Sequence, residues 1–109
     1  MATTEHQLPS PLAVNLRDGR AVVQVAGDLD LLSTADLRRA LEVLGEQHVH
    51  RVDVDLRQVP RLDSTAVELL ASTHARLAAR GGRLAVTGAS HRIADLLRRR
   101  GLNGLIDAR

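Results

Sequence analysis

The sequence predicts an α/β fold: a mixed sheet of four to five strands, amphipathic helices packed on it, and a β-hairpin at its start. Three observations point there. Runs of alternating hydrophobicity are followed in turn by runs with apolar residues at helical spacing, the order expected of parallel strands joined by helical crossovers. Asp18-Gly19 stands between the first two alternating runs and signals a tight hairpin turn. The chain has 109 residues, 44% of them hydrophobic, which suits a single domain.

Residues 1–10 are polar and rich in turn formers, so they read as a flexible lead-in to a domain spanning 11–109. Leu12–Leu16 alternates and forms the first strand. Arg17-Asp18-Gly19-Arg20 turns the chain, and Ala21–Val25 returns as the second strand. Gly27-Asp28-Leu29-Asp30 reads as the loop that leaves it. Ser33-Thr34-Ala35-Asp36 resembles a helix entry, with a hydroxyl cap and an acid three residues on. Leu37, Ala40, Leu41 and Leu44 then mark one apolar helix face, and Gly45 is the expected stop. Arg51–Leu56 alternates strictly and forms the third strand. A loop with Pro60 leads to Arg61-Leu62-Asp63-Ser64-Thr65, where Asp63 or Ser64 can cap a helix and Thr65 with Glu68 has capping-box spacing. Val67, Leu70, Ala71, His74, Leu77 and Ala78 follow at helical spacing. Gly81-Gly82 closes that helix. Arg83–Thr87 is the fourth strand, and Gly88-Ala89-Ser90 opens a third helix with Ile93, Leu96 and Leu97 inward and Gly101 at its end.

Composition removes several function classes. The net charge is only +2, and every one of the 15 basic residues is Arg, which is not the footprint of direct nucleic-acid binding. There is no Phe, Tyr or Trp to stack on bases and no Cys for a disulfide or thiolate metal site. No apolar run is long enough to insert in a membrane, and MATTEHQLPS lacks the regions of a signal peptide, so a cytoplasmic location is expected. His48-Val49-His50 lacks further ligands for a metal, and Asp53 and Asp55 mark the polar side of a strand. Arg98-Arg99-Arg100 complements a helix C-terminus. Thr87-Gly88-Ala89-Ser90 is no nucleotide motif, and no cofactor is expected.

Loops that follow parallel strands are where function gathers in such sheets. Here they bring Asp28, Asp30, Asp63, Ser64, Thr65 and Ser90 to one edge. The hydroxyls of Ser64 and Thr65 can serve as caps or receive a phosphate, which a helix N-terminus accommodates and nearby Asp63 and Glu68 oppose. A serine nucleophile would need a base within reach. There is no Gly-x-Ser-x-Gly elbow, His74 falls on the apolar side of its helix, and nothing requires His91 to approach Ser64, so no enzymatic activity is expected.

Three segments carry a family resemblance. Val25-Ala26-Gly27-Asp28-Leu29-Asp30 with Ser33-Thr34-Ala35-Asp36-Leu37 is similar to a Gly-Glu-Leu-Asp loop and the helix after it. Val52–Leu56 through Leu62-Asp63-Ser64-Thr65 is similar to a strand ending in an Asp-Ser-Ser/Thr phosphorylation motif. Gly82–Val86 with Leu96-Leu97-Arg98-Arg99-Arg100-Gly101-Leu102 is similar to a last strand and a Leu-rich helix ending in Gly-Leu. Together they resemble the STAS domains of bacterial anti-sigma factor antagonists. The resemblance implies a binding switch. The unphosphorylated form captures an anti-sigma factor, often a GHKL-type serine kinase, and frees the sigma factor. Phosphorylation of Ser64, or of Thr65, ends the capture. Asp28, Asp30, Asp63 and Glu68 would join both hydroxyls in partner recognition. Ala66-Val67-Glu68 departs from the family's Gly and Leu-Gly. This motivates the alternative of a constitutive STAS subunit, in a phospholipid transporter or a stressosome-like scaffold. The sequence leaves homo-oligomerisation open.

Overall fold

A computed structural model describes residues 12–107, so the expected lead-in at 1–10 lies outside the described residues. The elements are β1 (Leu12–Arg17), β2 (Arg20–Ala26), α1 (Leu31–Glu46), β3 (Arg51–Gln58), α2 (Ser64–Ala78), β4 (Arg83–Thr87), α3 (His91–Arg99) and a 3₁₀ turn at Asn103–Leu105. The sheet has four strands in the order β1-β2-β3-β4. β1 pairs antiparallel with β2, while β2, β3 and β4 are mutually parallel, so the sheet is mixed as expected. The fifth strand reduces to an isolated parallel bridge between Val86 and Ile106.

Asp18 and Gly19 both adopt positive φ, 53° and 77°. A two-residue loop with that backbone matches the right-handed twist of its flanking strands, which is why Asp-Gly is favoured there. The strands separate two faces by simple alternation. Ala21, Val23 and Val25 of β2, Val52, Val54 and Leu56 of β3, and Leu84 and Val86 of β4 are all buried on the inner face. Leu37, Leu41 and Leu44 of α1 join them, as do Val67, Leu70 and Leu77 of α2 and Ile93 and Leu97 of α3. Fully burying a side chain of this size contributes roughly 1.5–3 kcal/mol, and this shared cluster ties all three helices to the sheet. His74 is half-buried rather than fully packed, and its Nδ1 accepts from the Leu84 amide at 3.2 Å, fixing α2 to the start of β4.

The outer face is polar. Arg51 bonds Asp53 at 2.9 Å and lies 3.4 Å from Asp107. Strand register sets Arg17 opposite Arg20, Arg20 opposite Arg51, and Arg51 opposite Arg83, a row of arginines across the whole sheet.

Two helix boundaries differ from expectation. α1 starts at Leu31 with Asp30 as its N-cap, and Ser33 is the N3 residue that completes the capping box instead of the cap itself. A carboxylate at Asp30 reaches two backbone donors, and this outcompetes the Ser33 hydroxyl as cap. At the other end, Gly45 stays helical, and the left-handed residue after the helix is His48, with φ 59°. No helix among the described residues is long and apolar enough to cross a membrane.

Candidate functional site

The loops after β2 and β3 are stitched into a short extension of the sheet. The Gly27 amide donates to the Gln58 carbonyl at 2.9 Å, and the Leu29 amide donates to the Arg61 carbonyl at 2.9 Å. The Asp63 amide donates back to the Leu29 carbonyl at 3.1 Å, and Leu29 and Leu62 form a parallel bridge. Leu29 and Leu62 are buried, so alternation turns Asp28, Asp30, Arg61 and Asp63 outward into one exposed ridge. Arg61 Nε lies 3.7 Å from Asp28 Oδ2, an exposed pair that contributes little to stability.

Asp30 Oδ1 accepts from the amides of Leu32 and Ser33 and from Ser33 Oγ, at 3.0–3.1 Å. Ser33 Oγ in turn accepts from the Asp30 amide at 3.0 Å and lies 2.9 Å from the Asp28 carbonyl. The Ser33 amide, followed by the Ser33 hydroxyl, holds the Asp30 carboxyl below its ordinary value. Asp55, at the end of β3, is also lowered. Burial pushes it up, but the amide and guanidinium of Arg57 and the side chain of Gln24 outweigh that push. Both Arg57 groups donate to Asp55 Oδ1 at 3.0 Å.

Asp63 is the N-cap of α2, its Oδ1 accepting from the Ala66 amide at 3.0 Å. That resolves the choice left open by the sequence. Ser64 is the first helical residue and Thr65 the second, so Thr65 and Glu68 form no capping box. Ser64 is exposed and Thr65 half-buried. Neither hydroxyl is used in a hydrogen bond among the described residues, so Ser64 offers a free hydroxyl on the ridge of aspartates. Glu68 is exposed one turn on, on the same helix face as Ser64.

Ser90 stands one strand further along. Its Oγ accepts from the Ile93 amide at 3.2 Å and caps α3, so it is spent on structure instead of joining the other two loops. His91 is exposed at the start of α3, and no hydrogen bond links it to Ser64 among the described residues. No group of three or more His, Asp or Glu among the described residues could hold a metal ion.

Sequence reasoning missed Leu31 and Leu32. They form the first turn of α1 beside Asp30, and they are 68% and 79% exposed. Two large apolar side chains presented next to an acidic ridge are suited to burial against a partner. The signal was Asp30 three residues before Ser33, which places the helix start ahead of these leucines.

The arrangement provides a free hydroxyl, an acidic surround and an apolar flank, features suited to contact with another protein. Comparison with known proteins gives a consistent picture. The family model described as "Mlab, STAS domain" matches residues 12–107. The anti-sigma-B factor antagonist of Staphylococcus epidermidis is 32% identical over 84 residues, covering 77% of this chain and 78% of that protein. Among solved structures, the anti-sigma factor antagonist SpoIIAA in its unphosphorylated form superposes with a TM-score of 0.80 at 18% identity, covering 88% of this chain and 85% of that one. The phosphorylated form of SpoIIAA, a Bacillus cell fate determinant, gives a TM-score of 0.75 at 17% identity, covering 88% of each chain.

Proposed function

This chain belongs to the STAS domain family, and on that premise we propose that it is an anti-sigma factor antagonist switched by phosphorylation of Ser64. The unphosphorylated protein binds an anti-sigma factor, a GHKL-type serine kinase, through Asp28, Asp30, Asp63, Ser64, Thr65 and Glu68, with Leu31 and Leu32 supplying apolar contact. Binding releases the sigma factor. The protein itself performs no catalysis in this scheme and acts in the cytoplasm.

The observation that carries the reading is the exposed, unbonded hydroxyl of Ser64 at the first position of α2, beside the Asp63 cap. A phosphate there adds roughly −1.5 to −2 charge at neutral pH. The helix start tolerates it, because Asp63 Oδ1 takes the Ala66 amide while the amides of Ser64 and Thr65 donate no hydrogen bond among the described residues. The surface does not stay the same. The new charge stands among Asp28, Asp30, Asp63 and Glu68, so a partner matched to a neutral hydroxyl meets repulsion and a desolvation cost. Thr65, being half-buried, is the second acceptor.

The residues after the motif fit the fold. Ala66 and Val67 are buried in the hydrophobic core, so these side chains carry packing. Glu68, a charge close to the acceptor hydroxyl, favours a second reading, a constitutive subunit of a phospholipid transporter or stressosome-like scaffold.

Affinity capture from lysate of the source cells, with wild type, Ser64→Ala and Ser64→Asp as baits, separates the two. The expected result is a kinase-like anti-sigma factor held by wild type and Ser64→Ala and released by Ser64→Asp, with phosphate mass on recovered wild type. Equal recovery of a transporter or scaffold protein by all three, with no added mass, supports the second reading.

A further inference from the structure

We infer that the groove between the last turns of α1 and α2 is a binding site for a short aliphatic peptide with free ends, about two or three residues long. The groove holds about 520 Å³, within the range of small-molecule sites. It lies at the edge of the sheet where the helices end, opposite the ridge that carries Ser64. Its floor is apolar: Leu41 of α1, Leu77 of α2, Val52 of β3 and Val49 just before that strand. Thr73 stands among them at 5% exposure, and its Oγ1 has no hydrogen-bond partner among the described residues. A buried hydroxyl left unsatisfied is costly. Threonine in a helix has two χ1 wells, so a turn about χ1 is the motion by which this hydroxyl meets a ligand.

The walls of the groove differ in sign. α1 supplies Glu42 and Glu46, and its last turn holds no basic residue to offset the negative end of the helix. α2 supplies Arg76, and Arg80 follows it. Arg38, one turn before Glu42, lies outside the groove, and His48 and His50 line a smaller hollow beyond Arg80. Arg80 Nη1 lies 3.4 Å from the Gly45 carbonyl, yet no ion pair reaches Glu42, Glu46 or Arg76 among the described residues. Opposite charges that flank an apolar floor without closing on each other fit a ligand that carries both. Its ammonium faces the α1 wall, its carboxylate faces Arg76, and its aliphatic side chains cover the floor. The Thr73 hydroxyl calls for one more polar group, which a peptide bond supplies and a single aliphatic amino acid lacks.

Amide NMR spectra of the full, isotope-labelled chain, titrated with leucyl-leucine, test this. Saturable shifts are expected at Val49, Thr73, Arg76 and Leu77. N-acetyl-leucyl-leucine lacks the ammonium and leucyl-leucinamide lacks the carboxylate, so each binds about two- to fivefold more weakly. Glycyl-glycine keeps both charges without the aliphatic side chains and gives no saturable shift. Arg76→Gln lowers affinity for leucyl-leucine and leaves that for leucyl-leucinamide unchanged. Thr73→Val removes the hydroxyl at nearly constant volume; it weakens leucyl-leucine about two- to tenfold with an unchanged far-ultraviolet spectrum. Shifts that fail to saturate by about 10 mM overturn the inference. Blocked peptides that bind as well as the free one, saturable shifts centred on Asp30 and Ser64, or full-strength binding by Thr73→Val overturn it too.

Discussion

Asp30 and Asp63 do the same local task with different reach. Each ends a loop, turns its backbone to extended geometry and offers a carboxylate to the first turn of a helix. Asp30 gathers more donors, and its lowered pKa follows from them. The sign of the pH effect is then set. A carboxyl whose folded pKa lies below its unfolded value, about 3.9, stabilises the fold above that pH and loses the contribution as pH falls through the folded value. We therefore expect the urea midpoint to decline below about pH 4. Asp30→Asn keeps the cap, because Asn is an equally good N-cap, and flattens part of that decline. An acid limb identical in wild type and variant would assign the decline to other carboxyls, Asp55 foremost. At neutral pH, Asp63→Ala is expected to cost about 1 kcal/mol through loss of the α2 cap, read from denaturant midpoints.

The joins between elements are set by close approach. A Cβ on Gly82 would stand 2.3 Å from the His50 carbonyl oxygen, the acceptor for the Arg83 amide where β4 begins beside β3. Backbone occupies that space, so Gly82→Ala must displace the strand start. A loss of about 1–3 kcal/mol is expected, with faster hydrogen exchange at Arg83 and Leu84. The alternating runs and helical spacings located every long element, because burial on one face writes its period into the sequence. Helix starts were less legible: Asp30 and Ser33 both look like caps, and only the backbone decides which one turns. The 3₁₀ turn at Asn103–Leu105 and the Ile106 bridge are too short to carry a period. For the site, Asp28, Asp30, Asp63 and Ser64 were readable as neighbours because their loops follow adjacent parallel strands. Ser90 misled because the same edge spans all three loops while, among the described residues, backbone hydrogen bonds stitch the first two together. Leu31 and Leu32 were hidden by the misplaced helix start.

One apolar cluster reaches from Ala21 in β2 to Leu105 near the end of the described chain, so the described residues share a single core. Leu37, fully buried beneath α1, sits within it. Leu37→Ala is expected to cost about 2–5 kcal/mol and to lower one cooperative transition instead of splitting it. Parallel topology also sorts charge. Every parallel strand starts, and every helix ends, at one edge; every parallel strand ends, and every helix starts, at the other. The first edge holds the arginine row with Arg76 and Arg98 in the last helical turns, and the second holds Asp28, Asp30, Asp63 and Glu68. A chain of net charge +2 thus carries its charge unevenly, and the end that holds these carboxylates is the one a basic surface attracts. A phosphate on Ser64 would add to the charge at the acidic end, so under the proposed scheme the modification that ends binding would leave the molecule still turning that face to the partner it no longer fits.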